Sequence, residues 1–147
     1  MSEMFCECSS LEILDFSSFN TKNVIDMSFV FYGCLSLKEI ILYSFNTVNV
    51  KDMSFMFYGC SSLEGLDLLN FNTNIVIDMS WMFYGCSSLE ELDLSNFDID
   101  NVINRSYMFS ECSSLKKINV SNNFIINDED TLVMFKRNPL LTEFGLN

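Results

Sequence analysis

The strongest constraint on this chain is a repeat of 26 residues that runs through the 147-residue sequence. The repeat is kept by a cysteine column (Cys8, Cys34, Cys60, Cys86, Cys112, then Asn138), a leucine column (Leu11, Leu37, Leu63, Leu89, Leu115, Leu141) and a phenylalanine column (Phe5, Phe31, Phe57, Phe83, Phe109, Phe135). Units of this size stack so that each buries its apolar face against its neighbours. We therefore predict one solenoid domain over residues 1–147, with coils that start near 8, 34, 60, 86, 112 and 138.

Each unit contains two different hydrophobic patterns. Residues 89–95 end in an alternation of apolar and polar side chains, which predicts a short strand with one buried face. The apolar residues between 53 and 60 lie at i, i+3, i+4 and i+7, which is typical of one face of a short helix. The predicted fold class is an α/β repeat solenoid of about six coils, with a parallel strand face and short helices on the opposite side.

The motif over residues 78–95, DMSWMFYGCSSLEELDLS, resembles the BspA-like leucine-rich repeats of bacterial and protist surface proteins. The resemblance covers nearly the whole chain, is clearest over residues 50–95, and weakens at Asn104 and Arg105 and between Asn122 and Thr131. It implies a leucine-rich-repeat solenoid, a role in adhesion or protein binding, and a cell-surface or secreted location. It carries over no catalytic residues.

Charge and composition disfavour several classes of function. The net charge is −12 with eight Lys and Arg, mostly scattered singly, so we expect no nucleic-acid partner and no binding to an anionic membrane. No apolar run is long enough for membrane insertion, and the acidic start has no signal-peptide core, so a cytoplasmic location stays open. Histidine is absent, which removes the commonest general base and transition-metal ligand. We predict a protein that is not an enzyme and uses no cofactor.

Two polar columns have structural interpretations beside chemical ones. The cysteine column is interpreted as small buried hydrophobes, with disulfides between neighbouring coils as the alternative, whereas zinc lacks supporting ligands. Cys6 falls in an outward column and is the expected exposed thiol. The column Asp26, Asp52, Asp78, Asn104 and Asp130 is predicted to cap the short helices rather than to bind calcium.

Two surfaces are candidate protein-binding sites. The strand face is predicted to present Ile41, Tyr43, Asp67, Leu69, Glu91 and Asp93, either as a contact surface or as a merely solvated sheet. A second surface, here named the aromatic stripe, consists of Phe29, Tyr32, Phe55, Tyr58, Trp81, Tyr84 and Tyr107, which face away from the predicted inward side. The alternative for the aromatic stripe is that each ring only packs on its neighbour.

Two functions of different kinds follow from these surfaces. The first is a non-catalytic module that binds other proteins. The second is a structural subunit that self-associates end to end into filaments, because residues 1–5 and 141–147 are in register with helix and strand segments and neither end has a polar cap. The residues expected at such contacts are Met4, Phe5, Phe144 and Leu146.

Overall fold

A computed structural model describes residues 1–122, 124 and 133–146 of the chain. Its strands are β1 (Ile13–Asp15), β2 (Glu39–Ile41), β3 (Glu91–Leu94), β4 (Lys117–Val120) and β5 (Glu143–Leu146). They form two parallel sheets, β1-β2 and β3-β4-β5. Ile13 pairs with Glu39, and Glu91 with Lys117, so the register between neighbouring strands is the 26-residue repeat itself.

The short helices predicted opposite the strands are absent from residues 1–122. Residues 1–122 contain no helix, and only residues 133 and 134 are helical in the described part of the chain. The segment 53–60 is a series of turns, in which Met56 N–H donates to the Met53 carbonyl (3.3 Å) and Cys60 N–H to the Phe57 carbonyl (3.1 Å). The predicted α/β leucine-rich-repeat solenoid with helices opposite its strands is therefore wrong.

The backbone explains why no helix forms. Phe29, Phe55, Trp81 and Tyr107 have φ between 57° and 59°, and Gly33, Gly59 and Gly85 between 68° and 71°. These left-handed residues recur four positions apart, and each stands third in a four-residue turn, the place where a type II turn requires a positive φ. Met53, Met56, Phe57 and Cys60 are nonetheless fully buried. The apolar spacing thus predicted burial correctly and the hydrogen bonding incorrectly.

N–H groups that a helix would use internally are donated instead to the next unit. Met27 N–H donates to the Asp52 carbonyl (2.9 Å), Phe29 N–H to Ser54 (3.0 Å) and Gly33 N–H to Tyr58 (2.8 Å). Equivalent bonds recur one unit further along, so the N–H groups of these alternate turn residues point toward the C-terminal units, whereas the N–H groups of Lys51, Ile77 and Ile103 donate to the preceding unit. The peptide dipoles of the turn residues therefore add along the stack, as they do along a helix.

The left-handed column gives a direct test of this backbone. We expect Phe55→Gly to be more stable than Phe55→Ala by about 1 kcal/mol, because the left-handed conformation costs an L-residue about 1–2 kcal/mol and glycine nothing. Both variants lose the ring, so the comparison isolates the backbone. In a helix the order would be reversed by about 1 kcal/mol. Urea unfolding of the two variants measures the difference in stability. If the alanine variant is the more stable, the segment is a helix and the left-handed turn is wrong.

The core consists of columns of equivalent side chains, one from each unit. Phe31, Phe57, Phe83 and Phe109 are fully buried, and their ring centroids are 5.3, 5.7 and 5.6 Å apart from one unit to the next. Further buried columns contain Val50 and its equivalents and Met53 and its equivalents. No helix in the described residues is long and apolar enough to cross a membrane.

The strand face is interrupted in its middle. Residues 65–68 form no strand, although the sequence predicts one there, and this leaves β2 and β3 in separate sheets. Gly65 stands where other units carry Ile13, Glu39 and Glu91, and a glycine inside a strand has no side chain to pack across the sheet. The ladder on the opposite side is unbroken, since Asp52 pairs in parallel with Asp78.

Candidate functional site

The aromatic stripe is one continuous stack of rings on the surface. Phe29, Phe55, Trp81 and Tyr107 stack with centroids 4.6, 5.8 and 4.3 Å apart. Beside them Tyr32, Tyr58 and Tyr84 stack at 4.7 and 4.8 Å. The two columns also touch each other, as Trp81 and Tyr84 do at 4.9 Å. The structure thus brings together all seven residues that the sequence assigned to this surface.

Every ring of the aromatic stripe is partly covered and partly open to solvent. Because the rings stack face to face with interplanar angles as low as 7°, mainly their edges are presented. The first column also occupies left-handed backbone, which is rare for bulky residues. Stacking offsets part of this cost at about 0.5–1.5 kcal/mol per pair. Backbone strain of this kind is common at functional sites.

A notch ends the tyrosine column. In the next unit the position equivalent to Tyr84 is Ser110, so no ring in the described residues stacks on the second face of Tyr84. The resulting cleft, of about 270 Å³, is lined by Trp81, Tyr84, Tyr107, Ser110, Glu111, Lys136 and Arg137. Sequence reading assigned the rings but missed Ser110, although the break in the tyrosine column was visible in the repeat.

The strand-face residues also lie outward, as the sequence predicts, but they form a mixed surface. Tyr43 and Leu69 are 64% and 61% exposed, while Ile41 and Asp93 are half-buried. Glu91 is exposed in β3. Asp67 and Asp93 each accept a backbone N–H from two residues on, at 3.0 and 2.9 Å, and so shape the turn that follows. The hydrogen bonds from Ser95 lower the pKa of Asp93.

A third apolar surface was not singled out from the sequence. Ile25, Ile77 and Ile103 are 65%, 43% and 85% exposed and occupy one position of the repeat, which Lys51 fills in the remaining unit. Successive members of this column are joined by backbone hydrogen bonds. Ile103 N–H donates to the Ile77 carbonyl at 2.8 Å, and Ile77 is linked through Lys51 to Ile25 in the same way. The periodicity of isoleucine at this position was the available signal.

Four members of the cysteine column are buried free thiols, and Cys8 is a half-buried one. Cys34, Cys60, Cys86 and Cys112 are fully buried free thiols, and Cys60 Sγ donates to the Phe31 carbonyl at 3.2 Å. Burial raises the pKa of the Cys34 thiol to about 11 and that of Cys112 to about 12, and it also raises the pKa of Cys60 and of Cys86. Cys6 is only half-buried, and desolvation followed by Glu7 and Glu3 raises its pKa.

The aspartate column caps turns rather than helices. Asp52 Oδ1 accepts the Ser54 N–H at 2.8 Å and the Ser54 hydroxyl at 2.6 Å, and Asp78 holds Ser80 in the same way. The prediction that these residues cap helices is therefore wrong, because they cap turns. Aspartate suits both positions, since its carboxylate accepts a backbone N–H two or three residues further on. Asp130 lies outside the described residues. No group of three or more His, Cys, Asp and Glu in the described residues is placed to hold a metal ion.

The residues expected at the ends are only partly described. Met4 is 50% exposed, and Phe5 is half-buried and stacks on Phe31 with 6.1 Å between centroids. The backbone of β5 includes Phe144 and Leu146, but their side chains lie outside the described residues.

Stacked units with a constant 26-residue register define this chain as a tandem-repeat protein. A family model described as "Mycoplasma protein of unknown function, DUF285" matches residues 1–124, and the chain belongs to that family. No curated protein and no solved structure matches it.

Proposed function

We propose that this chain is a non-catalytic protein-binding module whose contact surface is the aromatic stripe. The observation that supports it best is the unbroken contact of seven partly exposed rings over four successive units. Contiguous apolar surface of this kind marks interaction sites, and aromatic side chains are enriched at the centres of interfaces. The BspA-like resemblance of residues 78–95, with an adhesive role at the cell surface, belongs to the same proposal.

The orientation of the rings favours a protein over a sugar as the partner. A pyranose stacks on the open face of an aromatic ring, but between neighbouring rings of the aromatic stripe, which lie 4.3–5.8 Å apart, the faces are covered, and the second face of Tyr84 is an exception. A surface of ring edges suits the apolar side chains of another protein. The absence of histidine from the sequence also favours binding over catalysis.

A displayed random-peptide library tests the stripe. Peptides selected against the wild-type protein are expected to bind the double variant Tyr32→Ser with Tyr58→Ser at least about tenfold more weakly, a change of about 1.4 kcal/mol. The matched control is Tyr43→Ser with Leu69→Ser, which removes similar exposed apolar area from the strand face. Binding is measured by biolayer interferometry, and thermal unfolding confirms that each variant is folded.

The two double variants separate the candidate surfaces. Loss of binding in the stripe variant alone supports the proposal. Loss only in the strand-face variant assigns binding to Tyr43 and Leu69, and unchanged binding in both variants rejects the stripe as the contact surface.

End-to-end self-association is the second candidate, and two observations favour it. The N–H groups of alternate turn residues, such as Met27, Phe29 and Gly33, point toward the C-terminal units, so opposite ends of this set of bonds carry opposite partial charges. Glu7, Glu111 and Arg137 occupy the same position of the repeat, so the charge at this position is negative near residue 7 and positive at residue 137. Arg137 already forms an ion pair with Glu111 at 2.8 Å, as it would with Glu7 of another copy. Light scattering at rising concentration tests it: a monomer at every concentration, unchanged by Arg137→Glu, rejects the filament.

A further inference from the structure

We propose that the notch beside Ser110 is a docking slot for one aromatic side chain of a partner protein, in a segment where carboxylates flank that side chain. The inference rests on the proposed function, because it assigns to one point of the aromatic stripe the chemistry of the partner. It arises from the one place where the tyrosine column stops while the column beside it continues to Tyr107.

The slot has the size and walls that a single ring requires. Tyr58 covers one face of Tyr84 at 4.8 Å, and Ser110 replaces the ring that would cover the other face. Trp81 contacts Tyr84 at 4.9 Å and forms the side wall. The cleft of about 270 Å³ is ample, since an engineered apolar cavity of about 150 Å³ holds benzene. A partner's ring can therefore continue the stack.

Ser110 itself leaves the slot open because its side chain turns inward. It is 1% exposed, its hydroxyl lies 3.2 Å from the Met134 carbonyl to which it donates, and it accepts the Lys136 N–H at 3.1 Å. These bonds fix the backbone around the slot without filling it. A larger side chain at this position must occupy the outward space.

The charges at the slot favour an anionic neighbour for the inserted ring. Lys136 Nζ lies 5.9 Å from the centroid of Tyr107, and Arg137 binds Glu111 at 2.8 Å, so two cations and one carboxylate line the cleft. The net charge of the whole chain is −12. The slot is thus locally cationic on an acidic protein, which attracts carboxylates to this point.

Trp81 reports on the slot because it is the only tryptophan and forms its wall. The probe is acetyl-Glu-Tyr-Glu-amide, titrated while Trp81 emission is followed. We expect a saturable change that acetyl-Glu-Ala-Glu-amide does not produce, and binding about tenfold weaker for acetyl-Lys-Tyr-Lys-amide. Equal binding of the lysine-flanked peptide would overturn the anionic part of the proposal.

The matched variants are Ser110→Tyr and Ser110→Ala. Both lose the serine hydroxyl bonds, but only tyrosine fills the slot, so Ser110→Tyr is expected to abolish binding and Ser110→Ala to retain it. Equal binding by the two variants, or no emission change with the Glu-Tyr-Glu peptide up to about 10 mM, overturns the slot. Since the library test changes Tyr32 and Tyr58, neither of which lines the cleft, the slot can fail while the stripe is upheld, and the reverse.

Discussion

Replacing Phe57 with alanine is expected to lower the free energy of unfolding by about 3–5 kcal/mol. Phe57 is fully buried between Phe31 and Phe83, with ring centroids 5.3 and 5.7 Å away. The hydrogen bonds of the ladder hold neighbouring units at a fixed spacing, so they cannot collapse into the cavity. Since domains are stable by only about 5–15 kcal/mol, this loss is a large part of the total. Urea denaturation followed by circular dichroism measures it.

Leu66→Ala is the control for this prediction. Leu66 is only partly buried and lies in the segment where the strand face is interrupted, so its loss is expected to cost no more than about 1–2 kcal/mol. If the two variants are destabilised equally, the inward column of phenylalanines is not the main core.

Raising the pH above about 9 is expected to destabilise the protein steeply. Burial raises the pKa of Cys60, Cys86 and Cys112 above the ordinary thiol value of 9.0, so above that value the unfolded chain has lost protons that the folded chain keeps. The stabilisation is complete below pH 9.0 and is lost as the pH rises toward the folded pKa values. Each of these thiols contributes a slope of about 1.4 kcal/mol per pH unit, or about 4 kcal/mol per pH unit for the three. Cys34, whose pKa burial raises to about 11, adds to this slope.

Urea unfolding in a series of buffers between about pH 7.5 and 10.5 measures this slope. Cys86→Ala is the matched control, because it removes one buried thiol and should reduce the slope by about 1.4 kcal/mol per pH unit while the remaining buried thiols keep theirs. A free energy of unfolding that stays constant between about pH 9 and 10.5 would contradict the burial of reduced thiols in the core.

Which residues lie inside was largely predictable from the sequence. The period of 26 predicted the parallel register of Ile13 with Glu39, and the buried positions of Phe57 and Cys60. The same period placed Trp81 and its equivalents on the surface as one stack. These features depend only on side-chain polarity and on the equivalence of units, and both can be read from the sequence.

The hydrogen bonding of the turn segments was decided by the tertiary structure. A spacing of i, i+3, i+4 and i+7 is satisfied by a helix and equally by this series of turns, because both return side chains to one face. Phe55 in left-handed backbone is tolerated only because its N–H reaches the Ser80 carbonyl of the next unit at 3.0 Å and its ring stacks on Phe29. A single unit considered alone contains neither partner.

The sequence by itself therefore determined the repeat, its register and the division between inside and outside, since these follow from the polarity of residues at a fixed spacing. Only the tertiary structure decided that N–H groups cross between units instead of closing a helix, that the strand face is interrupted around Gly65, and that the break in the tyrosine column, which the repeat shows, leaves an open slot at Ser110. Each of these depends on atoms contributed by a neighbouring unit about 26 residues away, so no local pattern encodes them.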